Sequence, residues 1–148
     1  MGGGVNHRLP EATKDRFDYS VAKIRYAVFT SPRTQLALDA ATGINRGAAN
    51  NCTFWATTGY RRYFLVRGSM AVGWEFNFGA MRLSHKINEL GTRTNFTEQL
   101  GIVFERGISA NSALTFEYRF SHVSNAGIKL PNVGINTSAV SVGYSWYR

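Results

Sequence analysis

Ser121-His122-Val123-Ser124-Asn125-Ala126-Gly127-Ile128-Lys129-Leu130-Pro131-Asn132-Val133-Gly134-Ile135-Asn136 decides how this chain is read. The stretch begins as a β-strand, breaks at Asn125-Ala126-Gly127, crosses a loop through Pro131-Asn132 and resumes as a strand near Asn136. Side chains on a strand alternate between its faces, so parity assigns each residue to a side. Upstream of the break, Leu114, Phe116, Tyr118 and Phe120 share one face, with Thr115, Glu117, Arg119 and Ser121 on the other. His122 and Ser124 continue the apolar face. A histidine and a serine at i and i+2 on the apolar side of a strand do little for stability. They make sense where a hydroxyl nucleophile and its base must meet a lipid.

Working outward, the other segments share this two-sided character. Val140, Val142, Tyr144 and Trp146 share a face of the last strand, opposite Ala139, Ser141, Gly143 and Ser145. Phe96, Leu100, Ile102 and Phe104 mark the strand before the central one. Further upstream, Phe64, Val66, Met70, Val72, Trp74, Phe76 and Phe78 share a face, and a turn is expected over residues 59–62. Leu36, Leu38 and Ala40 define an earlier strand. The segment from Phe17 to Phe29 is strand-like with a slip in alternation, for which a bulge is the expected cause. The connections alternate in length: short at 31–33, 59–62 and 107–111, longer at 43–51, 81–94 and 125–135.

With 148 residues the chain reads as one domain, residues 1–148. Hydrophobic residues make up 44% and mean hydropathy is −0.20, and no apolar run approaches the ~18 residues of a transmembrane helix. Aromatic content of 14% and 15 glycines suit strands and turns. The single cysteine, Cys52, allows no internal disulfide and reads as a small apolar residue. A formal charge of +8 favours anionic partners, but no nucleic-acid-binding motif accompanies it, so nucleic acid is not the expected partner.

Large aromatics on one face and small, polar or charged residues such as Glu75, Glu117 and Arg119 on the other admit two readings. A soluble two-sheet domain or ligand-binding barrel keeps its apolar residues inside. A bacterial outer-membrane barrel puts them outside, with short periplasmic turns, long outer loops and an even strand count. The connection pattern favours the second: an all-β, eight-stranded antiparallel outer-membrane β-barrel. Seven strand runs are clear, so the eighth is expected at the start, short or truncated, over Gly2 to His7. Met1-Gly2-Gly3-Gly4 carries no signal-peptide pattern, and a processed or truncated amino terminus is the expectation.

His122-Val123-Ser124-Asn125-Ala126-Gly127 followed by Pro131-Asn132-Val133-Gly134-Ile135 resembles the lipid A 3-O-deacylase (PagL) family of outer-membrane barrels. The likeness is dense over these residues and loose elsewhere. It implies a serine esterase that removes the acyl chain at position 3 of lipid A in the outer leaflet. Ser124 would be the nucleophile and His122 the general base, with Asn132 and the backbone amide around Gly127 stabilising the oxyanion and Asn125 beside them. This agrees with the residue chemistry, since a hydroxyl needs an adjacent base and the tetrahedral oxyanion needs fixed N–H donors.

One departure stands out. The family's third triad member can be a glutamate one residue after the Gly-Ile pair, where this chain has Asn136. Parity puts Asn136 on the face of His122 and Ser124, and an amide oxygen can orient an imidazole. It stabilises imidazolium less than a carboxylate: Asp to Asn in a serine protease costs about 10⁴ in kcat. Glu98, on the apolar face between Phe96 and Leu100, is the alternative orienter. No metal-ligand spacing is present, and ester hydrolysis by this arrangement needs no cofactor. The implied partners are lipopolysaccharide and outer-membrane lipid, with homo-oligomerisation left open; a non-catalytic barrel of structural or adhesive role is the alternative. Trp55, Trp74 and Trp146 are expected as membrane-interface anchors. Arg82, Lys86 and Arg93 are expected in an outer loop near lipid phosphates, His7 and His85 in loops, and Arg61 and Arg62 in a solvated turn.

Overall fold

Backbone groups that cross lipid must be paired on both strand edges, which a closed antiparallel meander achieves. The computed structural model describes residues 1–6, 18–45 and 51–147 and has this form. Its strands are β1 (Gly2–Asn6), β2 (Tyr19–Ser31), β3 (Thr34–Asn45), β4 (Cys52–Arg67), β5 (Met70–Leu83), β6 (Thr94–Ser109), β7 (Ser112–Ser124) and β8 (Ile135–Trp146). Each pairs with the next, and β1 pairs with β8 to close an eight-stranded barrel. The first strand is short, as expected, at five residues. His7 and Pro10 lie outside the described residues.

Two-residue turns at Pro32-Arg33, Gly68-Ser69 and Ala110-Asn111 lie at one end, and loops 84–93 and 125–134 at the other. Along most of β2 to β8 the odd-numbered side chains face the lumen and the even-numbered ones face out. Ile24 is 80% exposed and Tyr144 64%, and Leu38, Phe54, Phe76, Leu100 and Tyr118 join them in an apolar outer band. A continuous exposed surface of this kind suits a lipid surround and not water.

The sequence-predicted turn at 59–62 is corrected to Gly68-Ser69, where Gly68 has φ +56°. A two-residue turn preserves odd–even parity, and Arg67 pairs with Met70 directly across it. Apolar alternation therefore runs through the turn without a mark. Gly59 belongs inside β4, where a Cβ would stand 2.2 Å from Asn77 Oδ1. The bulge expected early in β2 is also absent: pairing with β3 is regular from Tyr19 to Phe29 and shifts only between Phe29 and Ser31. Tyr19 and Val21 break the apolar alternation because the lumen itself turns apolar near the loop end. Met81, Leu83, Leu90, Val123 and Ile135 form a buried cluster there, with Tyr19, Trp55 and Ile87 packed on it. Trp55 is thus a lumen residue, edge-on to Tyr19 at 6.0 Å, and not an interface anchor. Trp74 and Trp146 do face out.

Arg61 is likewise corrected from a solvated turn to the middle of the lumen. Its guanidinium reaches Glu75 at 2.7 Å, Glu105 at 2.6 Å and Glu117 at 2.7 Å. Arg25 pairs with Asp39 at 2.7 Å and Glu75 at 2.5 Å, Lys23 with Glu117 at 2.5 Å, and Arg119 with Glu75 and Glu117. Arg62, on the outer face, donates to Thr34 at 2.8 Å. Toward the short-turn end, Tyr63 and Tyr147 both donate to Glu105, at 2.9 and 2.8 Å. Burial, and then the charge of Glu105, pushes the Tyr147 phenol up to about 12.

The network sets four cations against four carboxylates, so the chain's excess of +8 lies outside it. Charges buried in a narrow lumen persist only when paired. Glu75, 1% exposed, is the hub, shared by Arg25, Arg61 and Arg119. Glu75→Ala leaves three guanidiniums short of a carboxylate, and breaking a buried pair costs about 3–5 kcal/mol. The expected result is a lowered urea midpoint for the detergent-refolded variant, followed by loss of heat-modifiable electrophoretic mobility. A midpoint equal to the parent's would contradict this role for the network.

Candidate active site

Position on the sheet determines what each site residue can reach. His122 lies near the end of β7, with Glu98 of β6 as its register partner on one side and Asn136 of β8 on the other. Ser124, the last residue of β7, pairs with Phe96. Val123 between them points into the apolar lumen cluster, so His122 and Ser124 are on the outer face, both half-buried. The imidazole Nδ1 lies 2.7 Å from Asn136 Oδ1. An amide oxygen only accepts, so Nδ1 is assigned as the donor of this bond. Glu98 is exposed and forms no hydrogen bond or ion pair with His122.

The strand ends where the backbone turns left-handed. Ala126 has φ +53° and Gly127 φ +77°, and Ile128 N–H donates to Asn125 O at 3.1 Å. Positive φ at both central residues is the signature of a type I′ turn. Asn125, 1% exposed, holds this turn to the rest of the loop. Its backbone N–H donates to Asn132 Oδ1 at 2.8 Å and its side-chain Nδ2 to Lys129 O at 2.6 Å. The Asn125 backbone amide is therefore occupied. The Asn132 side-chain NH₂ makes no hydrogen bond among the described residues.

Loop 84–93, expected from sequence as a longer outer connection over 81–94, braces this arrangement. Gly91 N–H donates to Pro131 O at 2.6 Å and Val133 N–H to Glu89 O at 3.0 Å, and Leu90 bridges Asn132. A Cβ at Gly91 would stand 2.7 Å from the carbonyl oxygens of both Lys129 and Leu130, so glycine is required for the two loops to meet. The signal was present as Ile87 and Leu90, two apolar residues inside a polar loop. Ile128, Leu130 and Val133 remain exposed on the braced loop, Leu130 at 82%. Arg82, Lys86, Arg93 and Lys129 are exposed at the same end. Arg82 belongs to β5 and donates to Thr94, at 3.0 Å. His85 lies in loop 84–93 as expected, with Nδ1 2.9 Å from Ser84 Oγ.

A family model described as lipid A 3-O-deacylase (PagL) matches residues 18–145. This chain belongs to the PagL family. The PagL family comprises carboxylic ester hydrolases of the outer membrane. A solved structure, described as "Crystal structure of the outer membrane enzyme PagL", superposes with a TM-score of 0.71 at 18% sequence identity. The match covers 99% of this chain and 97% of that one, and at this identity it speaks for the shared fold. Comparison with curated proteins finds no match.

The hydrogen bonds of Asn125 make the turn testable apart from any chemistry. Asn125→Ala leaves the Lys129 carbonyl without its donor, a loss of about 1–3 kcal/mol. Faster tryptic cleavage after Lys129 in the refolded variant, with heat-modifiable mobility retained, is the expected outcome. Cleavage at the parent rate would show that Asn125 does not hold the loop.

Proposed function

We propose that this PagL-family barrel is a serine esterase that hydrolyses the ester-linked 3-hydroxyacyl chain at position 3 of lipid A in the outer leaflet. The observation that carries the reading is the 2.7 Å contact between His122 Nδ1 and Asn136 Oδ1, on the lipid-facing side and two residues from Ser124. It leaves Nε2 as the basic nitrogen. His122 Nε2 takes the Ser124 Oγ proton as Oγ attacks the ester carbonyl carbon. The oxyanion accepts from Asn132 Nδ2 and from the backbone N–H at Gly127. Collapse breaks the bond to the sugar oxygen, which leaves with the proton from His122. Water, deprotonated by His122, then attacks the acyl-serine; collapse breaks the acyl–Oγ bond, the proton on His122 returns to Oγ, and the fatty acid leaves.

The surroundings support a glycolipid substrate. The apolar residues Ile128, Leu130 and Val133 sit beside exposed Arg82, Lys86, Arg93 and Lys129, matching a ligand with acyl chains below and phosphates above. Asn136 is the orienter in this mechanism, and Glu98 has no step assigned to it.

Refolded protein incubated with lipopolysaccharide should remove one 3-hydroxyacyl chain, read by mass spectrometry, and Ser124→Ala should remove none. Activity in Ser124→Ala, or none in the parent, ends the proposal. The orienter has its own test in mixed micelles. Replacing Asn136 by Leu should lower kcat by about 10²-fold through imidazole misplacement. Asn136→Asp keeps the shape and adds charge opposite the imidazolium, so kcat should rise by about tenfold, well inside the ~10⁴ seen for such an exchange elsewhere. Unchanged kcat in both variants would remove Asn136 from the mechanism.

A further inference from the structure

We propose that Gly134 is a positioning residue for the His122 imidazole, an inference that rests on the esterase reading. A Cβ built on Gly134 would stand 2.8 Å from His122 Cε1 and 3.5 Å from His122 Nε2. Cε1 lies between the two ring nitrogens, so the bare Cα of Gly134 abuts the ring edge that joins the held nitrogen to the reactive one. Asn136 holds Nδ1 at 2.7 Å from two residues further along the chain. The chain entering β8 therefore cradles the ring twice, by contact at Gly134 just before the strand and by hydrogen bond at Asn136 within it.

A methyl group here has one way out. The other atom near the built Cβ is the Val123 carbonyl oxygen at 3.4 Å, which belongs to the paired backbone of β7. The imidazole must turn instead. No hydrogen bond joins His122 to Ser124 here, so the proposed proton transfer depends on where the ring is held. Turning it either stretches the bond to Asn136 or moves Nε2 from that place, and displacements of about 1 Å at a reacting group can cost 10²-fold in rate. The 134 position also has φ +80°, so a side chain adds backbone strain whatever its contacts. Gly68 separates the two effects: it has φ +56°, with nothing within 4 Å of its built Cβ, in a turn at the opposite end of the barrel.

The experiment compares refolded parent, Ser124→Ala, Gly134→Ala, Gly134→Asn and Gly68→Ala on lipopolysaccharide. Asparagine tolerates a left-handed backbone better than alanine while carrying the same Cβ. Both Gly134 variants should lose kcat by on the order of 10²-fold with KM unchanged, while Gly68→Ala retains parent kinetics. In a His122→Ala background, Gly134→Ala should cause no further loss. Either Gly134 variant refolded and working at the parent rate overturns the proposal. So does a further loss in the His122→Ala background, which would put the effect of Gly134 elsewhere. Failure of both Gly134 variants to refold, when Gly68→Ala refolds, makes the glycine a folding requirement and overturns it too. An inactive parent or an active Ser124→Ala fails the esterase reading itself, a result distinct from all of these.

Discussion

Backbone N–H and C=O groups in hydrocarbon have no water to bond, so each strand edge must meet another strand. Once β1 joins β8, a period of two divides each strand between a lumen and an outer wall. The lumen takes the ion pairs around Glu75 and the outer wall takes Ile24, Leu38, Phe76 and Tyr144. Every later feature inherits this division, including the side from which a catalytic group can meet its substrate.

A site on the outer wall of a barrel is not enclosed as a cleft is. Support must come from the sheet and from the loops at its rim. His122 gains it from Asn136 on the adjacent strand, and the turn after Ser124 gains it from Asn125, Asn132 and the 84–93 loop. For the proposed esterase, this makes the membrane a part of the site, since lipid supplies the apolar surroundings that a cleft supplies elsewhere. The charge balance fits the same picture. Four cations and four carboxylates neutralise each other inside the barrel, and basic side chains at the loop end remain available to an anionic headgroup.

Some expectations from sequence fail because they take the two faces to be uniform along the barrel. The lumen is polar in its middle and apolar at the loop end, so Tyr19, Val21 and Trp55 broke the expected alternation without any bulge or interface role. The expectation of a solvated Arg61 rests on reading Gly59 as a turn. The glycine is instead a gap in β4 that Asn77 fills. The true turn at Gly68-Ser69 was hidden because two residues leave parity unchanged.

By itself the sequence determined the strand-rich class, the short first strand, the outward parity of His122 and Ser124, and the likeness of residues 122–135 to the PagL family. These are local properties, carried by alternation and by short spacings. Only the tertiary structure put the Asn136 amide, and not the Glu98 carboxylate, within hydrogen-bond reach of the imidazole; the two lie on opposite flanks of β7 at equal register and parity cannot rank them. It also brought Gly91 against Lys129 and Leu130, and Gly134 against the His122 ring. Close approaches between segments distant in the chain leave no periodic trace, and a glycine that makes room looks in sequence like a glycine that makes a turn.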